Sequence, residues 1–351
     1  MTTAILTDAR FAGHTNPRHV ERAERLSAIE RSLDASGLRE ELLAISPRYA
    51  ANAELLLAHD ERYLASIRRM AEYGGGDIDA DTYVTVASWE AATLAAGAAI
   101  EAVEAVLQGT CRNAFALVRP PGHHATANRA MGFCLINNIA VAARYACETL
   151  GIERLAIVDY DVHHGNGTQD IFYDDPRVLF CSTHASPLYP GTGNLNEIGS
   201  GAAAGTTLNV SLPYGVGDQG YRQVFDAIIV PALRRWQPQL ILVSAGYDTH
   251  WSDPIGPMIL SAQGAADLTG LLADLAAELC RERLVLVLEG GYNLDALAAC
   301  VQLSLQVLLG QAIGSDPVGP MPAPEPDLKN LIATVQRLHP LLNGAELAQE
   351  K

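Results

Sequence analysis

LAIVDYDVHHGNGTQDIFY, residues 155–173, is the stretch on which the fold turns. Its first four residues, Leu155–Val158, form a short apolar run of the kind that is buried on both faces of a parallel sheet. The run leads straight into Asp159, Asp161 and His163, polar residues at every second position. Strand alternation would put these three side chains on one face. Burying two carboxylates and an imidazole together is costly unless a cation or hydrogen-bond partners meet them. A divalent metal held by Asp161 and His163 removes that cost. A polar strand end facing solvent is the plainer alternative, and an Asp-x-His pair by itself does not decide between the two.

Working outward, similar apolar runs recur at Ala4–Thr7, Ala114–Val118, Val178–Cys181, Thr207–Leu212, Leu240–Val243 and Leu284–Leu288. Alanine- and leucine-rich stretches of helical length lie between many of them, among them Trp89–Leu107, Ile139–Leu150, Tyr221–Trp236 and Ala262–Arg281. This alternation predicts an α/β fold, a parallel sheet with helices on both faces, in a single domain. No internal repeat or low-complexity linker interrupts it. Pro- and Gly-rich sequence gathers at Pro317–Pro326, which reads as a surface strap before a short C-terminal helix. Residues 1–316 are thus expected to form the catalytic body, with 317–351 packed on it.

Many of the runs end in polar clusters: VRPPGHH (118–124), DYDVHHGNG (159–167), STH (182–184), SAGYDTHWSD (244–253) and EGGYN (289–293). Ligands bind beyond the carboxyl ends of the strands in open α/β sheets, so these segments are expected to meet on one rim. Asp253 then offers a third carboxylate beside Asp161 and His163. Three protein ligands leave a coordination position open, as at a catalytic zinc site; Fe²⁺ can share such a set. Two carboxylates cancel the formal charge of the ion, so bound water is acidified less than at a three-histidine site. A general base and an electrophile must help. The tandem His123 and His124 can carry the protons. Tyr292, after two glycines that suit a tight turn, can donate to a developing oxyanion. Alone, Tyr292 would read as a packing residue.

Composition narrows the class. The chain has 351 residues, 49% hydrophobic and 18% charged, as expected for a soluble enzyme with a large core. No apolar run reaches the ~18 residues that suggest a membrane span, and MTTAILTDAR is unlike a signal peptide; the expected location is cytoplasmic. The cysteines show no CxxC pairing and sit in apolar runs, which favours small-hydrophobe roles over disulfides or a metal site. A formal charge of −16 argues against a nucleic-acid partner. It suits approach of a cation such as a lysine-rich tail or a polyamine, although solubility alone would also account for it.

The ordered series RPPGHHAT, GFCLINN, DYDVHHGNGTQDIFY, PGTG, SAGYDTHWSDPIG and LEGGYNL resembles the histone deacetylase and acetylpolyamine amidohydrolase superfamily, nearest its class II-like branch with bacterial members. HTNPRHVERAERLSAI resembles that family's N-terminal entry segment, so the likeness covers roughly residues 10–310. It implies an arginase-like α/β fold with a central eight-stranded parallel sheet. It also implies zinc on Asp161, His163 and Asp253, and removal of an acetyl or short acyl group from an amine. By the same resemblance His124 is the general base and His123 its electrostatic or acidic partner, oriented by Asp159. Asn166 pairs with His124 where other members carry aspartate; an amide stabilises imidazolium less, so His124 should be the less basic of the two. Tyr292 matches the transition-state tyrosine. Phe133 and Tyr189 would wall an acyl-lysine tunnel, the Gly132 carbonyl would accept the substrate N–H, and Asp81 lies near a rim carboxylate. Structural K⁺ is implied on the backbone carbonyls of Asp159, Asp161 and His163 with Ser182 and Thr183, and a second near Phe172, Asp175 and Val178.

Ile255 stands where polyamine-selective relatives can place an acidic residue, which tilts the expected substrate toward acyl-lysine and leaves acetylpolyamines as the alternative. An arginase-like ureohydrolase would need a DxHxD ligand run for two metals, but His164-Gly165 follows His163. A non-catalytic module that binds acetylated ligands would have lost a ligand, a histidine or the tyrosine.

Overall fold

The strands grow mostly from runs of Leu, Ile, Val and Ala too short for a core helix. In the computed structural model, which describes residues 2–344, these are β1 (Thr3–Leu6), β2 (Leu43–Ala44), β3 (Gly76–Asp77), β4 (Tyr83–Val84), β5 (Asn113–Ala116), β6 (Leu155–Asp159), β7 (Val178–Ala185), β8 (Thr207–Leu212), β9 (Leu240–Ala245) and β10 (Leu284–Leu288). Eight of them form one sheet in the order β2-β1-β5-β10-β9-β6-β7-β8, and every pairing in it is parallel. β3 and β4 form a separate antiparallel hairpin. Every residue of β1, β5, β6, β7, β9 and β10 is buried. Successive side chains point to opposite faces, so unbroken burial means that both faces are covered.

Helix Ser88–Leu107 packs against β1, β5, β10 and helix Asn138–Glu148. Most of its side chains are small and buried, so it sits inside the molecule rather than on it. A Cβ on Gly97 would lie 1.8 Å from Arg48 O, so only glycine allows that close a backbone approach. Helices Ala262–Cys280 and Leu294–Leu309 pack on one another, and on β9, β10 and β1. The expected helix Tyr221–Trp236 instead has a π-helical segment at Phe225–Ile229, just before Pro231 at the start of its last part. Proline cannot donate to the helix ladder, which accounts for the break in the α-helical pattern.

The strap and C-terminal helix pack on this body. Glu325 accepts the N–H groups of Gly217, Gln219 and Gly220, and Leu328, Val335 and Leu341 are buried in the common core. Residues 345–351, the end of the expected C-terminal segment, lie outside the described residues. Among the described residues no helix is long and apolar enough to cross a membrane, and the cysteines are free and buried.

Two buried histidines are built into the backbone as neutral rings. His59 Nδ1 donates to Thr126 O (2.9 Å) while its Nε2 accepts from Asn137 N–H (2.9 Å). His339 Nε2 donates to Thr207 O (2.8 Å) and its Nδ1 accepts from Leu341 N–H (3.3 Å). Burial pushes both down to about 4 from an ordinary 6.5. Between those values the unfolded chain binds more protons than the folded one, so stability falls as pH falls through that window. His164 and His184, pushed down by burial to about 3 and about 4, add to this effect, while Glu289 and Asp248, pushed up to about 7 by burial, work in the opposite direction. The thermal unfolding midpoint is expected to drop between about pH 6.5 and 4.5, and less steeply in His339→Gln. Equal pH dependence in variant and wild type would contradict the assignment.

Candidate active site

The four central strands β5, β10, β9 and β6 are neighbours, and each is followed by a polar segment. Their carboxyl ends bring His123 and His124, Tyr292, Asp248, and Asp161 with His163 to one rim.

The local geometry of the DYDVH segment differs from strand alternation. β6 ends at Asp159, and the chain then turns through bends. Asp161 N–H donates to Asp159 Oδ1 (3.1 Å) and His163 N–H to Asp161 Oδ1 (2.9 Å). Each aspartate thus caps the residue two further on, a turn habit of short carboxylate side chains. Asp161 and His163 still converge, but through turns.

Asp248 stands beside these two, a carboxylate at the rim that the sequence reading did not name, while Asp253 follows in the same loop. Among the described residues, the group of side chains able to hold a metal is Asp161, His163 and Asp248, whose ligand atoms lie within 4.8 Å of one another. His163 Nδ1 is 3.1 Å from Asp161 Oδ1 and 3.2 Å from Asp248 Oδ2. Asp253 lies near enough to help raise Asp248; its Oδ1 accepts Ile255 N–H (3.0 Å), and its Oδ2 accepts Tyr292 N–H (2.6 Å) and Asn293 N–H (3.2 Å). Asp161 is held in the same way, its Oδ1 accepting His163 N–H and its Oδ2 accepting Gly290 N–H (2.9 Å). Asp248 follows the end of β9 by three residues and Asp253 by eight, so one loop brings both carboxylates to the rim.

The charge balance of the cluster fits a cation. Burial would lower His163, but Asp161 and Asp248 outweigh it and raise the imidazole to about 10. Burial, followed by repulsion from Asp161, lifts Asp248 to about 7. Two carboxylates crowded in a dry pocket draw in a positive charge, and a divalent ion satisfies both with the imidazole neutral.

His123 and His124 lie side by side, ring centroids 4.1 Å apart, with different partners. His123 Nδ1 is 2.9 Å from Asp159 Oδ2. Burial opposes its charge, yet Asp159 and Asp161 hold it well above the usual imidazole range. His124 Nδ1 is 2.8 Å from Asn166 Oδ1, and Asn166 Nδ2 donates back to His124 O (3.3 Å). That second bond fixes the amide orientation, so His124 Nδ1 carries the proton and Nε2 keeps its lone pair. Burial and the neighbouring His123 and His163 hold His124 well below the usual range. One ring is poised as a cation, the other as a neutral base.

Tyr292 lies edge-on to Phe133, centroids 5.6 Å apart, and carries the Arg25 guanidinium over its ring at 4.9 Å. Burial pushes its phenol well above 10, so it remains a donor. Arg25 also donates to Gly291 O and Glu289 O (2.6 Å each), holding the turn from behind. Sequence reading missed Arg25. Its signal is an arginine sharing the buried face of helix Glu24–Ser36 with Ile29 and Leu33, at four-residue steps. Glu289 was missed too: its Oε2 accepts Gly122 N–H (2.6 Å) and His123 N–H (3.1 Å), which fixes the backbone of the tandem histidines.

The expected substrate wall is brought together in part. Gly132 has φ +55, and a Cβ there would lie 2.3 Å from His124 Cδ2. Phe133 follows at φ +69, its N–H held by Thr82 Oγ1 (3.1 Å), which itself donates to Asp81 Oδ1 (2.8 Å). Tyr189, 37% exposed, sets its ring edge-on to His124 at 5.2 Å. Asp81, Phe133 and Tyr189 therefore border the rim, and Ile255 is tied to it through Asp253. Ser182 pairs with Asp159 in the sheet register, its hydroxyl 3.0 Å from His184 Nδ1, while the buried Thr183 Oγ1 has no partner.

Residues 19–308 match the histone deacetylase domain family. A protein of Archaeoglobus fulgidus named probable deacetylase is 43% identical over 308 residues, covering 87% of this chain and 85% of that protein. Human polyamine deacetylase HDAC10 is 38% identical over 332 residues, covering 90% of this chain and 48% of that protein. The crystal structure of the HDA15 HD domain superposes with a TM-score of 0.89 at 34% identity, covering 98% of both chains.

Proposed function

This chain belongs to the histone deacetylase family of metal-dependent deacetylases, and from that premise we propose that it hydrolyses the acetyl or short acyl amide of lysine side chains. What supports the reading is the meeting, on one rim, of a neutral His124, a protonated Tyr292 and a carboxylate-rich pocket that calls for a cation. Asp161 and His163, with a third carboxylate from Asp253 or Asp248, are the residues that would hold zinc, or Fe²⁺ in its place. Once bound, the ion supplies Lewis acidity to the amide carbonyl and to the attacking water.

The chain's own residues do the rest. His124 accepts the water proton at Nε2, the nitrogen left free by Asn166. Tyr292 donates its O–H to the carbonyl oxygen as negative charge builds there. His123, held as a cation by Asp159 and Asp161, supplies the proton the leaving amine needs. Phe133 and Tyr189 flank an extended alkyl chain, and the Gly132 carbonyl accepts the amide N–H. Asp81 on the β3–β4 hairpin stands at the mouth, where it meets the backbone of a peptide substrate. A potassium ion beside Ser182 and the unpaired Thr183 hydroxyl belongs to the same proposal.

Ile255 favours acyl-lysine over acetylpolyamine, because an apolar side chain cannot recognise a distal ammonium. Acetate release by the zinc-loaded protein should be measured on acetyl-lysine peptides and on N-acetylspermidine. The peptides are expected to win by about tenfold or more in kcat/KM, the order of discrimination a few contacts supply. Preference for the polyamine would overturn the substrate assignment. No release from any acetylated amine would overturn the hydrolytic one.

A further inference from the structure

Tyr189, a wall of the proposed tunnel, stands on residues 186–200, a segment between β7 and β8 without helix or strand. Beneath it lies a ring of side chains that the chemistry above does not use. Glu197 Oε2 accepts Gln169 Nε2–H (2.7 Å) and Gly193 N–H (3.1 Å), and its Oε1 accepts Asn194 Nδ2–H (2.6 Å). A carboxylate only accepts, so Gln169, on helix Asn166–Phe172, turns its NH₂ to Glu197 and its oxygen away. That oxygen takes Asn209 Nδ2–H (2.7 Å) and His164 Nε2–H (3.0 Å). His164 therefore carries its proton on Nε2, and its Nδ1 accepts from the Thr192 hydroxyl (2.8 Å). Thr192 precedes Gly193, and the ring closes. Gly193 has φ +83, and a Cβ there would lie 2.6 Å from His184 and 2.7 Å from His164 Cδ2. Its carbonyl accepts Ser211 Oγ–H (2.7 Å) and His184 Nε2–H (3.0 Å). His164, Gln169 and Asn209 are buried and give a fixed floor to a loop that otherwise lies mostly at the surface.

We propose that Glu197 is a positioning residue for substrate binding: through Gln169, His164 and Thr192 it fixes the loop that sets the Tyr189 ring against the alkyl chain of the substrate. The inference rests on the reading of Tyr189 as a tunnel wall. Its basis is acceptor geometry rather than charge. Without the carboxyl group, Gly193 N–H and the Gln169 NH₂ lose the acceptor they share, and Gln169 is free to turn its amide over. It would then present NH₂ to His164 Nε2–H and Asn209 Nδ2–H, donor against donor, and the ring opens. The proton-transfer groups are held by other partners, His123 by Asp159 and His124 by Asn166. What moves is the wall, so binding suffers and the chemical step does not.

The test compares Glu197→Ala and Glu197→Gln with wild type on an acetyl-lysine peptide, alongside Tyr189→Ala and the double variant Tyr189→Ala/Glu197→Ala, with zinc per chain measured in each. Glu197→Ala is expected to keep its zinc and to raise KM by about tenfold with kcat within about threefold of wild type, the pattern of a lost binding contact. Glu197→Gln keeps the oxygen that Gly193 and Gln169 share, and the exposed Asn194 can turn its own amide to meet the new NH₂. Its KM is expected within about twofold of wild type, on the same acceptor argument. In the Tyr189→Ala background, loss of Glu197 should add less than about twofold to KM, because the wall it sets is already gone. Should Glu197→Ala not fold, Thr192→Val, which opens the ring at its far end, takes the same measurements with the same expected pattern. An unchanged KM in Glu197→Ala would overturn the proposal, as would an undiminished rise in the Tyr189→Ala background. So would a glutamine variant as impaired as the alanine one, or zinc lost in step with kcat, which would place the ring in support of the metal pocket. Tyr189→Ala with a wild-type KM would overturn the reading of the wall and the proposal with it. A wild-type protein that releases no acetate is a different outcome and strikes at the deacetylase reading itself.

Discussion

Asp248→Ala is expected to yield a folded protein that retains no zinc through dialysis and shows no turnover above background. Asp248 does two things at the rim. Its Oδ2 approaches His163 Nδ1 within the candidate metal group, and its Oδ1 accepts Val162 N–H (2.9 Å). Alanine removes a charged ligand from a set of three. The affinity loss should therefore exceed the ~10- to 100-fold typical of losing an outer hydrogen-bond partner. The fold should survive because two effects oppose each other in the metal-free protein. Val162 N–H loses its acceptor, but a carboxylate that burial and Asp161 already push up to about 7 also disappears. Zinc per chain by elemental analysis, with a thermal melt on the same sample, checks both halves. Retained zinc in Asp248→Ala alongside lost zinc in Asp253→Asn would assign the third ligand to Asp253, as the sequence reading has it.

Those two aspartates mark where the sequence was legible and where it was not. The sheet was readable because its strands are uniformly apolar and its helices carry alanine and leucine on their buried sides. β2 was not, since Leu43–Ala44 is a two-residue edge that carries no periodicity. The convergence of HH, DxH and GGY was also readable, because adjacent parallel strands all present their carboxyl ends on one side. Asp253 is the third carboxylate the sequence offers, and the folded chain sets Asp248 beside Asp161 and His163 as well. Backbone N–H groups leave no trace in a sequence, so the three that Asp253 accepts could not be read from it. Arg25 and Glu289 escaped for a related reason: they act on main-chain atoms of Gly291, Gly122 and His123, whose identities say nothing about who holds them. The contrast between His123 and His124, however, followed from the partners that the resemblance implies for them. One ring faces a carboxylate and the other an amide, and they shift in opposite directions.

Tyr292→Phe is expected to reduce kcat by about 10²- to 10³-fold, the cost of one oxyanion donor, with zinc content and KM close to wild type. Phenylalanine preserves what the ring does. The Arg25 guanidinium still lies over it, Phe133 still meets its edge, and Asp253 and Arg25 still hold the turn, because they bind its main chain. Only the hydroxyl is lost, and that group is called on when the amide oxygen gains charge, not when substrate binds. Burial keeps the phenol protonated well above pH 10, so ionisation of Tyr292 should not limit the wild-type rate on the alkaline side. Single-turnover acetate release at saturating peptide reads the chemical step directly. A variant that lost zinc in proportion to its activity would show that the tyrosine serves the metal pocket rather than the reaction. A variant with unchanged kcat would show that His123, His124 and the bound ion stabilise the oxyanion unaided.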